Sequence, residues 1–305
     1  MVHTTKHEEV RRSYSITSSP ILQEPLSIGI KRIANGIYSR RLVDDARVGD
    51  TLLTTGAGGF FCLPADMTGI DHVFFFAAGS GITPVYSLLK TLLHDHPQVK
   101  ATLVYSNHSK HSTVFYEELR AMGSSFSQQL TIHFLFSDHS DLRRARLNRD
   151  LFFEIIFAAS QDQSRSVFFT CGPLAYMRMV IFLLQESGVD KEQIRKEDFT
   201  PYHVITIPVH PPDQQTRRVS IQLGKEIKSF EVFYPDSILA AAKKNQISLP
   251  YSCETGKCGN CAARCLQGKV WLSNNEVLTE NDLAEGLVLT CVGHPVGGEV
   301  LLKIG

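Results

Sequence analysis

The chain has 305 residues, 43% of them apolar and 20% charged, enough to bury sizeable cores in two or three domains of an ordinary globular protein. Lys and Arg balance Asp and Glu at 31 each, which excludes a whole-molecule field steering nucleic acid or a membrane surface to it. The opening MVHTTKHEEVRRSYS lacks the apolar stretch of a signal peptide, and the longest apolar runs, HVFFFAAG and VIFLLQ, are too short to span a bilayer. A cytoplasmic setting without nucleic-acid or membrane partners is therefore expected. Seven cysteines form an odd count, which favours metal or redox chemistry over a disulfide framework.

In chain order, residues 1–66 read as short strands, RSYSIT, LSIGIKRI and DTLLTT, punctuated by Gly and Pro, the pattern of an antiparallel β unit. Residues 67–205 alternate apolar strands with helical stretches: HVFFFAA, PVYSLLKTLLHD, ATLVYSN, STVFYEELRAM, LTIHFLFS, SVFFTCGP and AYMRMVIFLLQESG. That alternation predicts a parallel sheet covered by helices on both faces. Residues 206–216, TIPVHPPDQQT, have no apolar period and read as a linker. Residues 217–305 open with strands RVSIQL and SFEVFY, continue through a helix SILAAAKKNQ, and reach a cysteine-rich loop before further strands.

That loop, SCETGKCGNCAARC, spaces its cysteines as Cys253-x4-Cys258-x2-Cys261, with Cys291 thirty residues further on. This is the plant-type arrangement in which four thiolates hold a [2Fe–2S] cluster. Gly256 and Gly259 let the backbone wrap closely, so that N–H groups can face the sulfurs. A structural zinc site usually takes two paired knuckles, whereas here three ligands share one loop and the fourth stands alone. Cys265 reads as a small buried hydrophobe. Glu254 and Lys257 are expected on the exposed rim, where they would set docking charge. The stretches DSILAAAKKNQISLPYSCETGKCGNCAARCLQGKV and LTENDLAEGLVLTCVGHP resemble the C-terminal β-grasp ferredoxin domain of modular oxidoreductases.

Upstream, AAGSGITPVYSLLK follows an apolar strand. Gly79 and Gly81 would admit a pyrophosphate, Thr83 reads as an N-cap and Pro84 as the first helical residue, so the helix N-terminus faces phosphate. A lone G-x-G is weak, but FFTCGPLAYM closes another strand. Together G-x-G-I-T-P and C-G-P resemble the nicotinamide nucleotide domain of the ferredoxin–NADP reductase family. The resemblance implies that Gly79, Ser80, Gly81, Ile82, Thr83 and Pro84 bind NAD(P)H. It also places Thr83 and Cys171 beside the nicotinamide, with Gly172, Pro173 and Met177 shaping the pocket. The alternative for Cys171 is a core cysteine at a strand end. Choice between NADH and NADPH falls in VYSNHSKHS, after Asn107. Many relatives carry Arg where this chain has His108, while Lys110 either supplies charge or is simply solvated, and the sequence leaves the coenzyme open.

Hydride transfer moves an electron pair, and a [2Fe–2S] cluster takes one electron, so a flavin is needed between them. RSYS resembles the R-x-Y-S strand of the family's FAD barrel. This implies that Arg12 binds pyrophosphate, Tyr14 stacks near the flavin and Ser15 bonds toward its ring. Ile30 and Lys31 match a strand whose backbone meets the cofactor, and Gly36-x-x-Ser39 matches a helix-capping turn on its phosphates. Only eleven residues precede Arg12, so the first two or three barrel strands are expected to be absent from the segment. Phe199 stands where relatives set an aromatic against the flavin, or packs in the core.

The expected fold is therefore multidomain, α/β and α+β: an incomplete antiparallel FAD barrel (1–66), a parallel-sheet NAD(P)H domain (67–205), a linker (206–216) and a β-grasp domain (217–305). The expected function is a reductase passing electrons from NAD(P)H through FAD to the cluster held by Cys253, Cys258, Cys261 and Cys291, and on to an oxygenase, hydroxylase or desaturase component. Thr83, Cys171 and Ser15 carry the hydride step. The alternative is a flavin-free ferredoxin-type carrier reduced by another enzyme. No general acid or base is required, and His72, His94 and His96 read as surface residues.

Overall fold

The computed structural model describes residues 2–4, 9–160, 162–199 and 210–304. The chain forms two compact units, one of Tyr14–Val48 with Phe61–Thr200, the other of Met1–Ser13, Gly49–Phe60 and Pro201–Gly305. The segment 1–66 thus contributes to both. Among the described residues no helix is long and apolar enough to cross a membrane.

The first segment holds little regular structure. Strands β1 (Val2–Thr4) and β2 (Glu9–Arg11) pair antiparallel. The expected strands RSYSIT and LSIGIKRI are reduced to a single antiparallel bridge between Ile16 and Ile28, because a strand needs a laddered neighbour to persist. Ile30 and Lys31 accordingly lie outside any strand. Short helix α1 (Ile37–Arg40) follows and continues as a wider π-type turn through Asp45. What replaces a ladder is docking on a helix. Ser87 Oγ donates to the Ser18 carbonyl at 2.7 Å, Ser19 and Thr91 hydroxyls lie 2.8 Å apart, and buried Lys90 pairs with Glu24.

The rest of that unit is a doubly wound α/β layer. Its strands are β3 (His72–Ala78), β4 (Lys100–Asn107), β5 (Leu130–Phe136), β6 (Ser166–Cys171) and β7 (Ile194–Glu197). Its helices are α2 (Ile82–Asp95), α3 (Tyr116–Ser125), α4 (Leu142–Ala145), α5 (Arg149–Ala159) and α6 (Leu174–Glu186). All strand pairs are parallel, in the order β5-β4-β3-β6-β7. Successive β3 side chains enter opposite cores, as a two-residue period demands. Val73, Phe75 and Ala77 pack with α2, and Phe74 and Phe76 with α5 and α6. His72, expected at the surface, is instead buried, stacked on Phe74 at 4.2 Å with Nε2 2.9 Å from the Thr102 hydroxyl. Burial, with Lys100 adding to it, pushes its imidazole down to about 4. It fits because the neutral ring covers apolar surface and its one polar contact is met.

The second unit has a mixed sheet of β8 (Arg217–Leu223), β9 (Glu226–Val232), β10 (Ala262–Leu272), β11 (Leu287–Leu289) and β12 (Gly293–Ile304). The order is β11-β10-β12-β8-β9, with β8 and β12 parallel and the other pairs antiparallel. Helix α7 (Ile238–Lys244), capped by the Ser237 hydroxyl, lays Ile238, Leu239, Ala241 and Ala242 on the core, and α8 (Glu280–Ala284) is closed by a Thr279–Asp282 capping box. A helix grasped by such a mixed sheet is the β-grasp arrangement expected for 217–305. The linker positions 206–209 lie outside the described residues.

Candidate active site and cysteine loop

In the parallel sheet the strand order reverses between β3 and β6, and the crevice beyond their carboxyl ends is where such sheets bind ligands. The sequence places both of its glycine motifs there. Gly79, Ser80 and Gly81 form a tight turn directly after β3. A Cβ on Gly81 would lie 2.0 Å from the Cys171 carbonyl oxygen, and one on Gly172 would lie 2.9 Å from the Ala78 Cβ. The two strand ends therefore interlock through backbone. Thr83 is not the N-cap. Helix α2 starts at Ile82 with Gly81 as its cap, and the Thr83 hydroxyl bonds back to the Ser80 carbonyl at 3.0 Å. Pro84 then falls at the third helical position, still within the turn whose N–H groups have no intrahelical acceptor. Pro173 caps α6, and buried Met177 donates its N–H to the Pro173 carbonyl at 3.1 Å.

The first segment enters the same place. The Gly29 N–H donates to the Ser15 carbonyl at 2.9 Å. A Cβ on Gly29 would strike the Thr83 methyl at 2.2 Å. Ser15, Gly29 and Thr83 are thus stacked edge to edge, and Gly81 ties Thr83 to Cys171. Sequence reasoning missed Gly29 and also Glu197, the last residue of β7. Burial pushes the Glu197 carboxyl up to about 7, opposed by a hydrogen bond from Ser15. Burial, then the charges of Glu197 and Asp198, push the Cys171 thiol well up, so it is a neutral thiol. The Ser15 hydroxyl and Glu197 Oε2 are buried without a geometrically complete partner. Such groups are costly when left unmet, so they mark where a polar ligand edge fits.

The other flavin-side residues are looser. Arg12 is exposed and its Nη1 donates to the Arg11 carbonyl at 2.7 Å. The Tyr14 ring lies 6.2 Å from that of Tyr38. Gly36 is the N-cap of α1, and the buried Ser39 hydroxyl accepts the Ile33 N–H at 3.1 Å, drawing the turn shut. Ile30 is half-buried and Lys31 exposed. Phe199 is also exposed rather than packed in a core. Asn107 ends β4, with its amide nitrogen buried near the Tyr105 hydroxyl.

In the second unit the loop before β10 carries three cysteines, and Cys291 follows β11. The Cys261 and Cys291 sulfurs lie 3.2 Å apart. Hydrogen bonds from the Cys258 and Cys291 thiols hold the Cys253 sulfur well below the usual thiol range, with Thr255 helping. The two donor thiols are correspondingly pushed up. Among the described residues no three His, Cys, Asp or Glu surround a single metal ion. Gly256 and Gly259 take the left-handed φ values +77° and +71°, and a Cβ there would meet the Asn274 carbonyl at 2.9 Å or the Phe60 ring at 2.4 Å. Thr290 missed notice in the sequence. Its N–H and hydroxyl both donate to the Cys261 carbonyl at 3.1 Å, fastening the third cysteine beside the fourth. Four converging sulfurs on a glycine-tight loop fit the donor set of a two-iron cluster.

Two rim residues depart from expectation. Lys257 is buried, 3.8 Å from Glu276, so it cannot set docking charge. Glu254 is exposed but tied to Lys243 at 2.7 Å. Cys265 is half-exposed on β10, its Sγ directed at the Gln267 carbonyl at 3.4 Å, because this end of β10 departs from regular register.

A switch-point crevice for a dinucleotide in one unit and a four-cysteine β-grasp loop in the other define the class: a reductase that couples a nicotinamide nucleotide to a [2Fe–2S] cluster. Residues 75–181 match the model of the oxidoreductase NAD-binding domain and residues 222–296 that of the 2Fe-2S iron-sulfur cluster binding domain. The chain is 31% identical over 296 residues to a 3-ketosteroid-9-alpha-monooxygenase, ferredoxin reductase component, of Rhodococcus rhodochrous, covering 94% of this chain and 80% of that protein. It is 30% identical over 311 residues to a glycine betaine monooxygenase reductase subunit from Pseudomonas aeruginosa (strain UCBPP-PA14), covering 96% of this chain and 82% of that one. The fold is similar to that of phthalate dioxygenase reductase, with a TM-score of 0.52 and 23% identity over 99% of this chain and 86% of that chain. The chain belongs to the ferredoxin–NADP reductase family, in its group of modular reductases with a C-terminal plant-type [2Fe–2S] domain. Its cofactors are accordingly the cluster, FAD and NAD(P)H.

Proposed function

We propose that the hydride step of this NAD(P)H-dependent reductase occurs where Ser15, Thr83 and Cys171 meet, and that its electrons leave through the four-cysteine loop to an oxygenase or hydroxylase component. The observation that carries this is the meeting itself. Residues far apart in the chain are brought together by two glycines that leave no room for a side chain. FAD accepts the electron pair of a hydride and releases single electrons, the only currency a [2Fe–2S] cluster takes. The chain's own part is positional. The Gly79–Gly81 turn and the first turn of α2 offer N–H groups and positive dipole to a pyrophosphate. Gly172 and Pro173 let the nicotinamide end approach Cys171, whose neutral thiol presents a soft, uncharged surface. Ser15 offers its hydroxyl to the flavin edge, with Arg12, Tyr14, Ile30, Lys31 and the Gly36–Ser39 turn along the rest of that cofactor. Cys253, Cys258, Cys261 and Cys291 hold the two irons.

By function the chain divides into 1–66 for FAD, 67–205 for the nucleotide, the linker 206–216 and 217–305 for the cluster, although residues 1–13 and 49–60 belong to the compact unit that holds the cysteine loop. A cytoplasmic location accords with seven cysteines of which none is in a disulfide. The acceptor class is supported by relatives that are themselves components of monooxygenase systems.

The test is the cofactor content of the purified chain and its response to reductant. One flavin per two irons is expected, with the flavin bleached by NAD(P)H and the cluster reduced after it. Iron without flavin, and no bleaching by either nucleotide, would leave the carrier reading.

A further inference from the structure

We infer that this chain selects NADH over NADPH and that His108 sets the choice; the inference rests on the nucleotide-site reading above. In an open parallel sheet of this order, the ribose whose 2′ position distinguishes the coenzymes lies beyond the carboxyl end of the strand next to the glycine-turn strand. Here that strand is β4, ending at Asn107.

No arginine stands between Lys100 and Arg120. His108 has its Nδ1 3.2 Å from the Ser137 hydroxyl, and its carbonyl accepts the Asp138 N–H at 3.1 Å. The Asp138 carboxylate therefore belongs to the turn that holds His108. Ser109 and Ser112 close a capping box on each other, which occupies both hydroxyls. Lys110 is the only Lys or Arg between Lys100 and Arg120 in the sequence. Its Nζ lies 3.9 Å from Glu117 and 4.7 Å over the Tyr116 ring, and Arg120 approaches the same Glu117 at 3.5 Å. These exposed pairs are weak and easily parted. Still, Lys110 and Arg120 are both drawn to Glu117.

A 2′-phosphate brings about two negative charges and is best met by a guanidinium fork. His108 stands where a fork would need to be. Neutral polar groups stand beside it instead: the buried Asn107 amide nitrogen near the Tyr105 hydroxyl and the buried Ser106 hydroxyl near that of Tyr176, donors and acceptors suited to ribose hydroxyls.

Titrating the full chain with NADH and with NADPH, read by nicotinamide fluorescence, tests the choice without turnover. NADH is expected to bind about tenfold tighter or more, the scale of one charge-assisted hydrogen bond. His108→Arg should close most of that gap by tightening NADPH, with NADH affinity little changed. Asp138→Asn should move the ratio the same way by less, and it carries the test if the first variant fails to fold. Equal or tighter NADPH binding by the unaltered chain overturns the inference, as does an unmoved ratio in both folded variants. Binding of neither nucleotide would overturn the nucleotide-site reading itself, and this inference with it.

Discussion

The switch-point crevice and the cysteine loop both rely on glycine, for different reasons. Gly81 has an ordinary right-handed backbone, φ −63°, and its need is space against the Cys171 carbonyl. Gly256 and Gly259 need space too, but they also need left-handed turns. The crevice is made by the sheet: two fully buried strands end side by side, and their register fixes the turn. The loop has no such frame. It is held by scattered contacts, backbone bonds such as Glu276 N–H to the Gly256 carbonyl among them. Ser13 bonds Ser252 at 2.7 Å, the Tyr251 ring lies between Arg11 and Lys243 at 3.9 and 3.6 Å, and Asn274 Nδ2 donates to the Thr255 carbonyl at 2.8 Å. A site built on strands is stiff before its ligand arrives, while a loop of this kind gains much of its order from the metal.

That contrast can be broken most decisively at Cys258. Cys258→Ser should abolish cluster absorbance and iron content while NAD(P)H still bleaches the flavin. Equal loss of flavin reduction would show that the two regions do not act separately. Gly81→Ala tests the stiff side. Backbone cannot yield as a side-chain tip can, so the substitution should lower stability by about 3 kcal/mol, read as the urea midpoint of the parallel-sheet unit, with iron content unchanged. A tolerated alanine would mean the strand ends are looser than their spacing indicates.

The smallest effect is a pH dependence at Glu197. Its carboxyl titrates at about 7, raised from 4.5 chiefly by burial. The native state therefore holds a proton that the unfolded chain gives up. Stability from this group is complete below pH 4.5, declines as pH rises toward 7 and levels off above it. Glu197→Gln should remove that slope, a difference on the order of 2 kcal/mol between the ends of the window. An unchanged slope would indicate that Glu197 ionises freely.

The two sheets were legible because strand period and βαβ alternation are local properties. The residues singled out at the crevice and the loop are drawn together because a ligand compresses its partners into short spacings. What escaped notice acts across the chain. Gly29, Glu197, Thr290 and Phe60 carry no motif, and each matters only through a neighbour far away in sequence. The helix RDLFFEIIFAA was missed because its apolar residues run almost continuously, which hides a helical period. Thr83 misled because capping preference was read without the Gly-Ser-Gly turn, which starts the helix two residues earlier. Lys257 and His72 misled because polarity alone does not reveal a buried partner.

Arg11 reaches the Leu249 carbonyl across 238 positions of sequence, and the unit they share is threaded from three separate stretches of chain. During synthesis the hairpin that braces the iron-binding loop leaves the ribosome well before its counterpart, then waits while the whole parallel-sheet unit is made. Metal loading is thereby placed late in the protein's maturation, after the nucleotide fold already stands.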